Sequence, residues 1–170
     1  MSYKDSFLAS IVWTVIRVWV GWQWLSAGWE KISGPGSAVW IGPKAGTAVG
    51  GFLQGAMTKA AGIHPDVQSW YAWFIQNVAV PNAKVFSYII SFGEVLVGIA
   101  LILGLLTVPA LIAGVLMNLN YLLAGTVSIN PILLALEVIL LFIGPAVWYF
   151  GLDRLFHPRW RKWRSARVRT

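Results

Sequence analysis

The chain contains no cysteine and only two histidines, His64 and His157, among its 170 residues. The lack of thiols excludes disulfides, thiol-ligated iron–sulfur clusters, cysteine nucleophiles and thioether-linked haem. Both histidines lie in stretches predicted below to be outside the membrane, so neither is placed to ligate a haem between helices. We therefore expect no haem, iron–sulfur cluster or metal, and any redox chemistry must use a diffusible cofactor or a partner subunit.

Charged residues are also scarce. They make up 11% of the chain, whereas an ordinary soluble domain has roughly 25%, and 58% of the residues are hydrophobic. Each of four apolar runs is close to the roughly 20 residues that a helix needs to cross the hydrocarbon core of a membrane: about 8–28, 84–104, 108–126 and 131–151. We predict an all-α membrane protein, a four-transmembrane-helix bundle forming a single membrane domain over residues 1–170.

The flanking charges predict the orientation. The tail 152–170 carries one acid, Asp153, against seven basic residues: Arg154, Arg159, Arg161, Lys162, Arg164, Arg167 and Arg169. Such a tail favours the cytoplasm, and four spans place the N-terminus with Lys4 on the same side and the loop 29–83 outside. Attraction to anionic membrane lipids explains this tail better than nucleic-acid binding does.

The long outer loop contains two segments with helical apolar spacing, 46–62 and 64–81. Gly62 is suited to end the first helix and Pro65 to begin the second. The predicted apolar faces are Val49, Phe52, Leu53, Ala56 and Met57 in the first, and Val67, Trp70, Phe74 and Val78 in the second. We expect two short interfacial helices that lie over the bundle as a lid.

Each apolar run has one polar or small-residue stripe at helical spacing. The stripes are Arg17, Gly21, Trp24, Gly28 and Lys31; Ser87, Ser91, Glu94 and Gly98; Gly114, Asn118, Tyr121 and Gly125; and Asn130, Glu137 and Gly144. A charge facing lipid costs between about 2.5 and more than 10 kcal/mol, so these stripes should face one another. The glycines allow close helix contact, and the predicted result is a polar pocket that opens outward.

Arg17 and Glu94 are expected near mid-depth, with Glu137 closer to the outer face. Two acids then face one arginine, so one carboxylate would lack a cationic partner and could exchange protons. The alternative is an ion pair that only fixes the helix register. The sequence leaves open which glutamate pairs with Arg17. Asn120, on another face, is expected to make a helix–helix hydrogen bond, and His64 to be a solvated loop residue.

Three segments carry a resemblance to a known family. "IRVWVGWQWLSAGWEK", "FGEVLVGIALILGLLT" and "LEVILLFIGPAVWYFGLD" resemble helices of the DoxX-like membrane proteins of prokaryotic cell membranes. The outer segment, with "GFL" and "NVAVPNAKVF", is most similar to the DoxD branch, the large subunit of thiosulfate:quinone oxidoreductase. Where family members usually have Thr-Arg after the second helix, this chain has Thr107-Val108-Pro109, which removes a cytoplasmic charge.

The resemblance implies that thiosulfate, or a related small sulfur compound, is oxidised to tetrathionate at the outer face and that electrons pass to a membrane quinone. The substrate-binding candidates are Arg17, Lys31, Trp24, Asn118 and Tyr121. The quinone-binding candidates are Trp22, Trp24 and Tyr121, and the catalytic candidates are Glu94, Glu137 and Arg17. Quinone would act as a diffusible co-substrate.

The expected partners are membrane lipids and quinone, with a small DoxA-like subunit and a homo-oligomer left open, and no nucleic acid is expected. Two other functions are compatible with the same bundle. It could be a non-catalytic membrane scaffold for a redox partner. It could instead be a carrier for a small anion, which would need a pocket that opens to both faces.

Overall fold

A computed structural model of the chain describes residues 7–156, and this part is helical with no strand. The long helices are α1 (Phe7–Ser33), α5 (Ala83–Leu103), α6 (Thr107–Leu123) and α7 (Asn130–Ile143). The short helices are α2 (Ser37–Trp40), α3 (Thr47–Thr58), α4 (Ser69–Phe74), which continues as a π-helical turn (Ile75–Ala79), α8 (Pro145–Trp148) and α9 (Asp153–Phe156). Lys4, His157 and the basic tail beyond it lie outside the described residues.

All four apolar runs are helical, but only α1 and α5 are long and apolar enough to cross a membrane by themselves. The predicted end of the fourth run at residue 151 is wrong, because α7 stops at Ile143. Gly144 follows with a backbone φ of 78°, a left-handed value that glycine adopts readily. Pro145 then begins α8 in a new direction, since proline is favoured in the first turn of a helix. A four-span topology therefore remains a prediction.

Helices α1 and α5 pack so closely that glycine is required between them. A Cβ atom on Gly28 would lie 2.7 Å from the Val95 backbone nitrogen, and one on Gly98 would overlap the backbone of Leu25. A Cβ atom on Gly21 would likewise lie 3.0 Å from the carbonyl oxygen of Gly98 on α5. These contacts confirm the expectation that small residues let the helices approach, and they fix the register between α1 and α5.

The polar stripes face inward. Arg17, Ser87, Ser91, Glu94, Asn118 and Glu137 are all buried. Large apolar side chains cover the outside of the same helices, and Phe142 is 80% exposed. A polar interior with an apolar exterior is the arrangement expected when lipid is the surrounding medium, so the inward placement of the stripes is confirmed.

The segment from α2 to the π-helical turn, here called the cap, packs on the first half of α5 and the last turn of α6. Val49, Leu53 and Ala56 are buried, as predicted for the first cap helix. The second predicted face is confirmed only in part, since Phe74 packs against the buried cluster under the cap but α4 begins at Ser69 rather than at Pro65. Its buried residues are Tyr71, Ile75 and Ala79, and Trp70 is exposed. Val67 is buried but precedes the helix.

Two hydrogen bonds tether the cap to α6 and the residues that follow it. The Tyr71 hydroxyl donates to Asn120 Oδ1 at 2.9 Å, and Lys59 Nζ donates to the Gly125 carbonyl at 2.6 Å. The expectation that Asn120 bonds to another helix is therefore confirmed. Burial raises the pKa of the Tyr71 phenol, so the hydroxyl stays protonated and able to donate throughout the neutral pH range.

The variant Tyr71→Phe should loosen the cap without unfolding the rest of the chain. Loss of one hydrogen bond costs about 1 kcal/mol, which corresponds to roughly fivefold faster amide exchange in α4 when exchange proceeds through local opening. Hydrogen exchange followed by mass spectrometry measures this. Trp73→Phe, at a residue that is 63% exposed, is the control, and equal exchange in both variants would show that the tether does not hold the cap.

Candidate functional site

A cavity of about 470 Å³ lies between α1, the cap, α5 and the loop that joins α6 to α7. Its walls combine four aromatic side chains with polar and aliphatic ones, and the aromatic residues are Trp24, Trp40, Phe52 and Tyr121. Phe52 from the cap meets Tyr121 edge-on, with ring centroids 6.3 Å apart. The volume falls in the range of roughly 300–1,000 Å³ that is typical of small-molecule sites.

Glu94 on α5 forms the polar centre of this cavity. Its Oε2 accepts from Lys31 Nζ at 2.6 Å, and its Oε1 accepts from the Tyr121 hydroxyl at 2.8 Å. Lys31 can reach Glu94 because α1 continues to Ser33 and packs closely on α5 at Gly28. This pair is the one salt bridge found among residues 7–156. One carboxylate thus joins an ammonium and a phenol on the cavity wall.

A second buried carboxylate lies behind the aromatic wall. Glu137 is fully buried, and its two oxygens accept from Trp24 Nε1 at 2.5 Å and from Asn118 Nδ2 at 2.9 Å. Both donors are neutral. Space for the carboxylate comes from Gly114, where a Cβ atom would overlap Glu137 Oε1. Trp24 lines the cavity with its ring and bonds Glu137 with its nitrogen, so it connects the two acidic centres.

Arg17 lies near the middle of α1, outside the cavity lining and level with the end of α5. Its Nη2 donates to the Phe150 carbonyl at 2.9 Å, and its guanidinium lies against Gly104, just after α5 ends. Asp153 supplies the nearby negative charge. Since Gly104 is ten residues beyond Glu94 in the sequence, Arg17 and Glu94 are about 15 Å apart along the helix axis. The expected ion pair between Arg17 and a glutamate is therefore wrong, and the expected position of Arg17 at mid-depth remains a prediction.

The structure brings four of the predicted site residues together around the cavity: Trp24, Lys31, Glu94 and Tyr121. Glu137 and Asn118 lie directly behind Trp24. Arg17 does not reach the cavity, so its predicted roles in substrate binding and catalysis have no geometric support. Trp22, predicted to bind quinone, points outward and is 58% exposed, because it lies two positions from Trp24 on a helix and so faces another side.

Sequence reasoning did not place Trp40 or Phe52 in the site. Helical spacing correctly assigned Phe52 to the predicted lid. It did not predict that Phe52 contacts Tyr121. Trp40 lies in the four-residue helix α2, outside any apolar period, and the ammonium of Lys31 is 5.0 Å from its ring centre. That cation–π contact is formed only by tertiary packing.

A family model described as "TQO small subunit DoxD" matches residues 13–169. The chain belongs to the DoxD family. This confirms the resemblance, although the description names the small subunit where the sequence comparison had indicated the large one. No curated protein and no solved structure matches the chain.

DoxD family membership indicates a subunit related to thiosulfate:quinone oxidoreductase. The two long apolar helices and the membrane-associated family together indicate a membrane protein. The cavity is the feature of this DoxD chain that combines a charged pair, a phenol and aromatic walls in a space large enough for a small molecule.

Proposed function

We propose that this chain is a membrane oxidoreductase subunit that passes electrons from thiosulfate, or a related small sulfur compound, to a membrane quinone. In the balanced reaction, two thiosulfate dianions, one quinone and two protons give one tetrathionate dianion and one quinol. The sulfur–sulfur bond that forms releases two electrons, and the quinone gains both electrons and both protons. The chain must therefore supply protons beside a ring-binding site.

The arrangement of Lys31, Glu94 and Tyr121 carries this proposal. The Lys31 ammonium and the Tyr121 hydroxyl are two proton donors bonded to the same carboxylate. A proton given up by either donor can be replaced through Glu94, which is the property expected of a general acid–base centre. Glu137, linked to the cavity by Trp24, is a second protonatable group one layer behind the site.

We further propose a multi-pass topology in a prokaryotic cell membrane, with the cavity toward the outer face and both termini in the cytoplasm. The cap and the cavity lie at one end of α5, and Asp153, just before the basic tail, lies at the other. A basic tail favours the cytoplasmic side, which puts the cap outside. As partners we propose membrane lipids, quinone and a DoxA-like second subunit.

The interior between the two ends argues against the carrier alternative. Val20, Leu101, Leu111 and Leu140 are completely buried and form one apolar core. Along their helices these residues lie between the cavity lining and the level of Arg17, so within residues 7–156 an apolar layer separates the two. A small anion crossing this layer would lose its hydration without finding partners. A redox site that opens at one end fits the packing better.

The first experiment is reduction of a short-chain ubiquinone analogue by the purified protein in detergent, with thiosulfate as donor and a DoxA-like subunit added in parallel. Lys31→Gln should lower the rate at least about 100-fold, since a general acid contributes about 10²–10⁴-fold. Lys44→Gln, at an exposed cap residue away from the cavity lining, should retain the wild-type rate. No thiosulfate-dependent reduction by wild type with or without the added subunit would reject the proposal in favour of a scaffold.

A further inference from the structure

We infer that the cavity selects an uncharged ring and excludes the anionic sulfur donor. This inference rests on the proposed function, because it assigns the cavity to one of the two substrates. It follows from the charges that line the cavity, from the placement of Arg17 outside the lining, and from the aromatic and apolar side chains in the walls.

The charged groups lining the cavity do not favour an anion. They are one ammonium, Lys31, and two carboxylates, Glu94 and Glu30. Lys31 is already paired with Glu94 at 2.6 Å and also donates to the Ala27 carbonyl at 3.2 Å. A thiosulfate dianion entering this space would be repelled, because two carboxylates outnumber the one ammonium. The positive charge of Lys31 is already paired with the Glu94 carboxylate.

No other cation within residues 7–156 lines the cavity. Arg17, the natural partner for an oxyanion because its guanidinium offers several fixed donors, does not line the cavity and is bonded to the Phe150 carbonyl. Lys59 is bonded to the Gly125 carbonyl. The cavity as folded therefore has no free positive group to replace the hydration of a dianion.

The same cavity suits an uncharged aromatic ring with carbonyl oxygens. Trp24 and Tyr121, with ring centroids 6.4 Å apart, and Phe52 form aromatic walls, and Leu133 and Ile90 add apolar surface. An ammonium has three N–H donors, and two of those on Lys31 are used. One donor remains for a ligand carbonyl. A quinone head group has the shape, the neutrality and the acceptor that this site matches.

The test is equilibrium binding of the ubiquinone analogue, followed by tryptophan fluorescence of the full chain in detergent. Thiosulfate is the competitor, and sodium chloride at equal ionic strength is the salt control. For wild type we expect saturable binding whose Kd changes by less than about twofold in thiosulfate. A double variant, Glu30→Gln with Glu94→Gln, leaves Lys31 as the remaining charge on the lining, so thiosulfate should now raise the apparent Kd about tenfold.

A gain of competition cannot arise from unfolding, which makes the double variant informative. Asp66→Asn, an exposed acid away from the cavity lining, is the matched control and should behave like wild type. If the double variant does not fold, Glu30→Gln alone changes an exposed rim residue and should give a smaller gain. Competition by thiosulfate in wild type, or the absence of analogue binding, would overturn the inference.

The two proposals fail in different ways. Thiosulfate-dependent turnover together with competition in wild type would retain the oxidoreductase and reject the charge selection. Saturable, thiosulfate-insensitive binding of the analogue without any thiosulfate-dependent turnover would retain the charge selection and reject the proposed oxidoreductase function.

Discussion

Glu94→Gln is expected to lower thiosulfate-dependent quinone reduction by at least about 100-fold while leaving the helices folded. Glutamine keeps an oxygen that can accept from Tyr121, but it has no negative charge for Lys31 and does not take up and release a proton near neutral pH. Initial rates of quinone reduction, normalised to folded protein by circular dichroism, measure the effect.

Asp66→Asn is the matched control for Glu94→Gln, because it also removes one carboxylate but from an exposed position on the cap. It should keep the full rate. Retention of the wild-type rate in Glu94→Gln would remove this carboxylate from the mechanism and leave its bonds to Lys31 and Tyr121 with a structural role.

Asp153→Ala is expected to destabilise the fold by about 1–3 kcal/mol, because it removes the acceptor of two backbone hydrogen bonds and leaves their donors without it. The Asp153 carboxylate accepts from the backbone nitrogens of Leu106 and Thr107, each at 2.8 Å. These bonds hold the start of α6, where Leu106 has a φ of 51°. The same carboxylate is the negative charge near Arg17, which is 1% exposed.

Thermal and denaturant unfolding in detergent measure the loss in Asp153→Ala, with Asp66→Ala as the exposed control. The rate of quinone reduction per folded molecule should be unchanged, because neither Asp153 nor Arg17 lines the cavity. If Asp153→Ala had normal stability but no quinone reduction, the region around Asp153 and Arg17 would have a role in the mechanism.

Arg17 illustrates the limit of reasoning from helical spacing. Its position on one face with Gly21, Trp24 and Gly28 correctly placed it inside, since a guanidinium facing lipid is costly. Spacing says nothing about the depth at which a neighbouring helix presents a partner. The partner proved to be the Phe150 carbonyl, which arrives because Gly144 ends α7 and turns the chain back toward the end of α5.

For the two glutamates, too, helical spacing predicted the burial of the side chains but not their hydrogen-bond partners. The sequence placed Glu94 and Glu137 on inward faces, and both are buried. It did not reveal that Lys31, expected at the rim, pairs with Glu94, or that Glu137 is held by two neutral donors. These pairings depend on the offset between helices, which the contact of Gly28 with Val95 sets for α1 and α5.

The sequence by itself determined which residues face inward, because the period of the helix and the cost of exposing charge to lipid act within each segment. It also determined the absence of thiol chemistry and the family. Only the tertiary structure decided that the cavity forms around Lys31, Glu94 and Tyr121 while Arg17 bonds to the Phe150 carbonyl outside it. Those contacts join residues far apart in the chain, so their geometry is set by the glycine contacts and helix breaks that position whole helices against one another.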